Sequence, residues 1–116
     1  MRNPPYSCGI DAAMDVVGGK WKALILWALD ARLHRFGELR RALPGVSEKV
    51  LAQQLRELEA DGIVRRTVYD VVPPKVEYEL TDEGVALNAA LESLGRWGHR
   101  RMEQLDLVPE HAQNDL

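Results

Sequence analysis

The side chains best suited to recognition chemistry lie on one short stretch. If Leu51 and Leu55 turn inward on a helix, Lys49, Gln53 and Arg56 share its outer face, flanked by Ala52 and Gln54. Glutamine pairs bidentately with adenine, and arginine or lysine with guanine, so this face has the residue types of a base-edge reader. Glu48 and Glu57 lie near the same surface, where they either accept from cytosine or repel phosphates. A plain solvated helix face is the alternative reading. A second reactive group is the single cysteine, Cys8, just before a helix that begins near Gly9 or Ile10. A thiol at a helix N-terminus is placed to become a reactive thiolate. With one cysteine, any disulfide is intermolecular; the alternative is an inert side chain in an interface.

Other chemistry has no constellation to support it. His34, His99 and His111 do not cluster with cysteine or carboxylates, and His99 with Glu103 makes only an i, i+4 pair. Glu57 and Glu59 point to different sides of a helix. No phosphate loop, nucleophile elbow or HExxH motif is present. No enzyme activity, metal or cofactor is therefore expected.

These residues need elements to position them. Turn signals at Gly18-Gly19, Pro44-Gly45, Asp61-Gly62 and Pro73-Pro74 divide the chain. A short amphipathic piece over 10–17 precedes a helix over 20–31, apolar on most sides through Trp21, Leu24, Ile25, Trp27, Ala28 and Leu29. A third helix over 36–43 places Phe36, Leu39 and Leu43 inward and Arg40 and Arg41 outward. Ser47 then caps the reading helix over 47–60, with Val46 and Leu51 spaced for a hydrophobic staple.

After Gly62 the period changes from 3.6 to 2. Strands over 63–71 and 76–80 form a hairpin whose tip holds two prolines and Lys75. Thr81 caps a last helix reaching about Asp106, with Leu87, Leu91 and Leu94 as its stripe, extended by Trp97, Met102 and Leu105. The order predicts a mainly α winged helix-turn-helix with a small β-hairpin wing. Leu91, Leu94, Trp97, Met102 and Leu105 are the expected dimer contacts, since the second half of that helix outruns a core this small. Folding of this helix back onto its own core is the alternative.

The chain of 116 residues suits one domain over 1–116, with an arm over 1–9, a dimerisation helix over 81–108 and a flexible tail over 109–116. The longest apolar run, Ala23–Leu29, cannot span a bilayer, and no secretion signal is visible at the N-terminus. A cytoplasmic protein is expected. The net charge of −3 taken alone argues against nucleic acid, but its distribution reverses that. Residues 32–75 hold nine basic and six acidic side chains, a local +3, and the remainder carries −6. Exposed charges are screened beyond about 8 Å at physiological salt, so a basic zone acts locally. Arg40, Arg41, Arg65, Arg66 and Lys75 are the expected phosphate contacts, and Ser47, Lys49, Gln53, Gln54 and Arg56 approach the bases.

Four strings then resemble the HxlR-type winged-helix regulators, relatives of the MarR group. They are Gly18-Gly19-Lys20-Trp21 with Ile25-Leu26; residues 35–41 (RFGELRR); residues 51–62 (LAQQLRELEADG); and residues 73–81 (PPKVEYELT). Cys8 and Trp97 also look like that family, and the resemblance covers about residues 6–100. It implies a homodimeric, bacterial or archaeal DNA-binding transcription regulator, with the helix over 47–60 in the major groove, the hairpin as wing, and the subunits dimerising through terminal helices. It also implies a thiol sensor at Cys8, as in several members. Ala52 departs from the pattern, which often has threonine there. A small-molecule-responsive repressor without redox chemistry, using a dimer cavity near Trp21, Trp27 and Trp97, and a protein-interaction module that does not bind DNA are the competing classes.

Overall fold

The computed structural model describes residues 4–108. Residues 1–3 of the expected arm and the expected tail over 109–116, with His111, lie outside the described residues. Five helices and one hairpin follow in order: α1 (Gly9–Val17), α2 (Lys22–Ala31), α3 (Phe36–Ala42), α4 (Glu48–Ala60), β1 (Val64–Tyr69), β2 (Lys75–Leu80) and α5 (Asp82–Gln104). The mainly helical winged helix-turn-helix read from the sequence is the observed architecture.

The core gathers around α2. Ile25, Leu26 and Leu29 meet Leu39 and Leu43 from the α3 side, Leu51, Leu55 and Leu58 from α4, and Ile63 and Val64 at the root of the hairpin. These positions lie three and four residues apart within each helix, so one stripe per helix turns inward. Removing this apolar surface from water is the main force holding the head together.

Local chemistry sets the joints. Gly45 has φ +93°, a left-handed turn that side chains with a Cβ rarely adopt, and it reverses the chain between α3 and α4. The Ser47 hydroxyl accepts the Val50 N–H at 3.1 Å and caps α4. Val46 and Leu51 on either side of that cap are both buried, as the staple requires.

The strands are antiparallel, with Arg65 opposite Glu79, Arg66 opposite Tyr78 and Tyr69 opposite Lys75. The first strand is shorter than the sequence suggests, ending at Tyr69, and Lys75 belongs to β2 rather than to the tip. Pro73 and Pro74 are exposed, as a tip with no ladder hydrogen bonds must be. The free edge of β2 is partly covered by His34, whose backbone exchanges hydrogen bonds with Tyr78 at 2.9 and 2.8 Å. The buried His34 ring places Nδ1 2.8 Å from the Arg32 carbonyl, a structural use of this histidine.

Thr81 welds α5 to the head. Its hydroxyl oxygen accepts the Gly84 N–H at 3.1 Å and donates to the Gly62 carbonyl at 2.6 Å. Gly84 lies so close to Ile63 that a Cβ there would stand 2.2 Å from the Ile63 carbonyl oxygen. Leu87 and Leu91 continue onto the core, and beyond them α5 leaves it. Leu94, Trp97 and Leu105 are each at least half exposed. Met102 is partly covered.

Candidate nucleic-acid interface

The exposed face of α4 follows from its core face. With Leu51, Leu55 and Leu58 buried, Lys49, Gln53 and Arg56 project outward, and Gln54 sits at the margin. A cleft of about 320 Å³ is lined by Ala52, Leu55, Arg56 and Glu59 of α4 and by Arg66 and Tyr78 of the hairpin. Arg56 thus faces the hairpin as well as solvent, and Arg66 meets it across the gap.

The cations expected at phosphates fall into two groups. Arg40 reaches Glu48 at 2.9 Å, Arg65 reaches Glu79 at 2.7 Å, and Lys75 reaches Glu77 at 3.5 Å while standing 4.7 Å from the Tyr69 ring. Among the described residues Arg41, Lys49, Arg56 and Arg66 make no ion pair. Register explains the split on the wing. Successive strand residues point to opposite faces, so Arg66 shares the inward face of Val64 while Arg65 shares the other with Glu79, Glu77 and Tyr69. Arg65, Arg66 and Lys75 are therefore not equivalent, as the sequence reading treated them. On that outer face the Glu77 carboxylate accepts the Tyr69 hydroxyl and, with its charge, holds the phenol above its ordinary range.

The two glutamates near this surface both have partners. Glu48 is paired with Arg40 on the exposed face between α3 and α4. Glu57 reaches towards α2 as well as towards Gln53. Its Oε1 lies 2.5 Å from Nζ of Lys22, a lysine whose side chain is only 5% exposed. Its Oε2 accepts from Nε2 of Gln53 at 3.4 Å. Lys22 escaped the sequence reading because one lysine in the first turn of an apolar helix reads as a solvated end.

Cys8 occupies the N-cap position of α1 and is exposed. Its carbonyl accepts the Ala12 N–H at 3.1 Å, and the Ser7 N–H donates to Asp11 beside it. The arm is tied down by the Tyr6 hydroxyl donating to Asp15. Ile10 and Met14 of α1 are exposed apolar side chains, like Leu94 and Trp97 of α5. Among the described residues no group of His, Cys, Asp and Glu could hold a metal ion, and His99 with Glu103 is a solvent-facing pair at 3.5 Å. No described helix is long and apolar enough to cross a membrane.

A helix-turn-helix whose second helix is open along one face, next to a hairpin that carries an arginine towards it, defines a winged helix-turn-helix transcriptional regulator. The HxlR-like helix-turn-helix family profile matches residues 16–106, and the chain belongs to that family. It is 45% identical over 120 residues to the uncharacterized HTH-type transcriptional regulator YtcD of Bacillus subtilis, covering 99% of this chain and 95% of that one. Among solved structures it resembles the redox regulator HypR in its reduced form, with a TM-score of 0.80 and 42% identity over 85% of this chain and 98% of the other. It also resembles the reduced form of the transcriptional regulator YodB of B. subtilis, with a TM-score of 0.70 and 37% identity over 78% of this chain and 89% of that one. These relatives are transcriptional regulators of the HxlR and MarR type, and so is this chain.

Proposed function

We propose that the protein is a cytoplasmic, sequence-specific regulator that binds double-stranded promoter DNA as a homodimer. The observation that carries this is the open face of α4, with Lys49, Gln53 and Arg56 exposed beside Arg66 across the cleft. A helix of 13 residues is about 20 Å long, enough to lie across a major groove. Gln53 and Arg56 read base edges, with Ser47, Lys49 and Gln54 approaching them. Arg66 and Arg41 hold phosphates directly. Arg40, Arg65 and Lys75 do so by exchanging a carboxylate partner for a phosphate, which makes each a weaker contributor. The single folded unit dimerises through the apolar side of α5 beyond the core, supplied by the exposed Leu94, Trp97 and Leu105 and the partly covered Met102, with Leu91, half-buried on the chain's own core, only at its edge, and spans half-sites about 34–36 Å apart.

A gel-shift titration against the gene's own upstream region, over a range of salt, tests this. A complex whose affinity falls steeply with salt is expected, with a slope about 0.9 shallower for Arg66→Ala and a smaller change for Arg65→Ala. Absence of any salt-dependent complex at micromolar protein would support a protein-interaction module instead.

Cys8 motivates an added redox or electrophile response. It is exposed at the start of α1, and HypR is a redox regulator of similar fold. Peroxide or quinone is then the effector, and an intermolecular disulfide or mixed disulfide at Cys8 changes operator affinity. Equal DNA affinity before and after oxidant, in both the native chain and Cys8→Ser, would remove this role. A small-molecule effector that quenches tryptophan fluorescence with Cys8 blocked would replace it.

A further inference from the structure

The Lys22–Glu57 pair extends to the reading face. Lys22 enters from the first turn of α2 and meets Glu57 from 35 residues along the chain. A buried ammonium without a counter-charge is strongly disfavoured, so Glu57 stays turned towards it. Paired in this way, Glu57 is a carboxylate and can only accept hydrogen bonds. Gln53, one turn earlier on α4, must therefore present its NH2 group to Glu57, as the 3.4 Å contact has it. The carbonyl oxygen of the Gln53 amide is then turned away from Glu57, and the second amide hydrogen stays available beside it.

An acceptor next to a donor complements the major-groove edge of adenine, where N6 donates and N7 accepts. Guanine offers two acceptors there, O6 and N7, and would meet the Gln53 carbonyl with a repulsive oxygen. We infer that Lys22, acting through Glu57, is a positioning residue that fixes the polarity of the Gln53 amide and so a preference for adenine at the base pair Gln53 meets. This rests on the reading of α4 as the base-contacting helix.

Selection of bound sequences from a randomised DNA pool tests it, using the full chain and four variants. The native protein should enrich adenine at one position, and Gln53→Ala should lose that enrichment about tenfold. Glu57→Gln, which can donate as well as accept, should lose it about fivefold at the same position and leave the others unchanged. Lys22→Arg keeps a cation against Glu57 and should retain it. The double variant Lys22→Met with Glu57→Leu replaces the buried pair by apolar contacts that preserve folding, and should lose adenine enrichment as Glu57→Gln does. Unchanged enrichment in Glu57→Gln and in the double variant, with loss in Gln53→Ala, overturns the positioning role while leaving base reading intact. Unchanged preference in Gln53→Ala overturns base reading at that residue, and the inference with it.

Discussion

Helices α4 and α5 carry the same local devices and end in opposite conditions. Each starts at a hydroxyl cap, Ser47 or Thr81, and each sets leucines at helical spacing behind it. In α4 the leucines are finished within the chain: Leu51, Leu55 and Leu58 are exposed by 2% or less. In α5 only the first turns are covered, and Leu94 and Trp97 stand 56% and 58% exposed. The difference is length against available core. The 13 residues of α4 fit the span that α2 and the hairpin root can cover, whereas α5 runs for 23. One apolar stripe is finished within the chain, and the other is left uncovered along its second half.

Substitutions at the two stripes should separate stability from association. Leu55→Ala should cost about 2–5 kcal/mol, read by chemical denaturation and independent of protein concentration. A cost that changes with concentration would break the claim that α4 is complete within one chain. Paired Leu94→Ala and Trp97→Ala substitutions should leave the head folded and weaken self-association by about tenfold or more, read by sedimentation, with operator affinity falling in parallel. Their effect on unfolding at low protein concentration should be far smaller than that of Leu55→Ala.

The caps sharpen the same contrast. Ser47→Ala should cost about 1 kcal/mol through the lost bond to the Val50 N–H. Thr81→Ala should cost more, because it also frees the Gly62 carbonyl. Equal costs measured by thermal denaturation would mean that the joint at Thr81 adds nothing beyond an ordinary cap.

The smallest effect is expected at the start of α3. The backbone N–H of Arg35 and then the Arg32 guanidinium hold the Glu38 carboxyl below its ordinary value of 4.5. Its contribution is present above about pH 4.5 and is lost as pH falls through the lower folded value. Glu38→Gln should therefore lower stability slightly at neutral pH, leave it unchanged below the folded value, and so flatten the acid limb of the stability curve.

Much of the head was legible because its signals are local. The Leu51, Leu55, Leu58 spacing, the Ser47 cap and the change of period after Gly62 each lie within a few residues of what they determine. The outward face of α4 follows from its inward one, which is why Lys49, Gln53 and Arg56 were found. Arg65 and Arg66 could not be told apart until the register with Glu79 and Tyr78 fixed which side of the ribbon each takes. The pairing of Glu57 with Lys22 was missed for a different reason. Its partner Lys22 is 35 residues away, and on a helical wheel both look like ordinary solvated charges.

The weld at Thr81 and Gly84 has a mechanical consequence. A carbonyl that leaves no room for a Cβ at Gly84 also leaves little room for α5 to swivel, so head and shaft turn together. With 23 residues the shaft is about 34 Å long, and a tilt of roughly 5° displaces its far end by about 3 Å. That is close to the rise of one base pair. In the proposed dimer the shaft is thus a caliper arm: a small change in its grip on the second copy shifts the gap between the two heads by about one base-pair step.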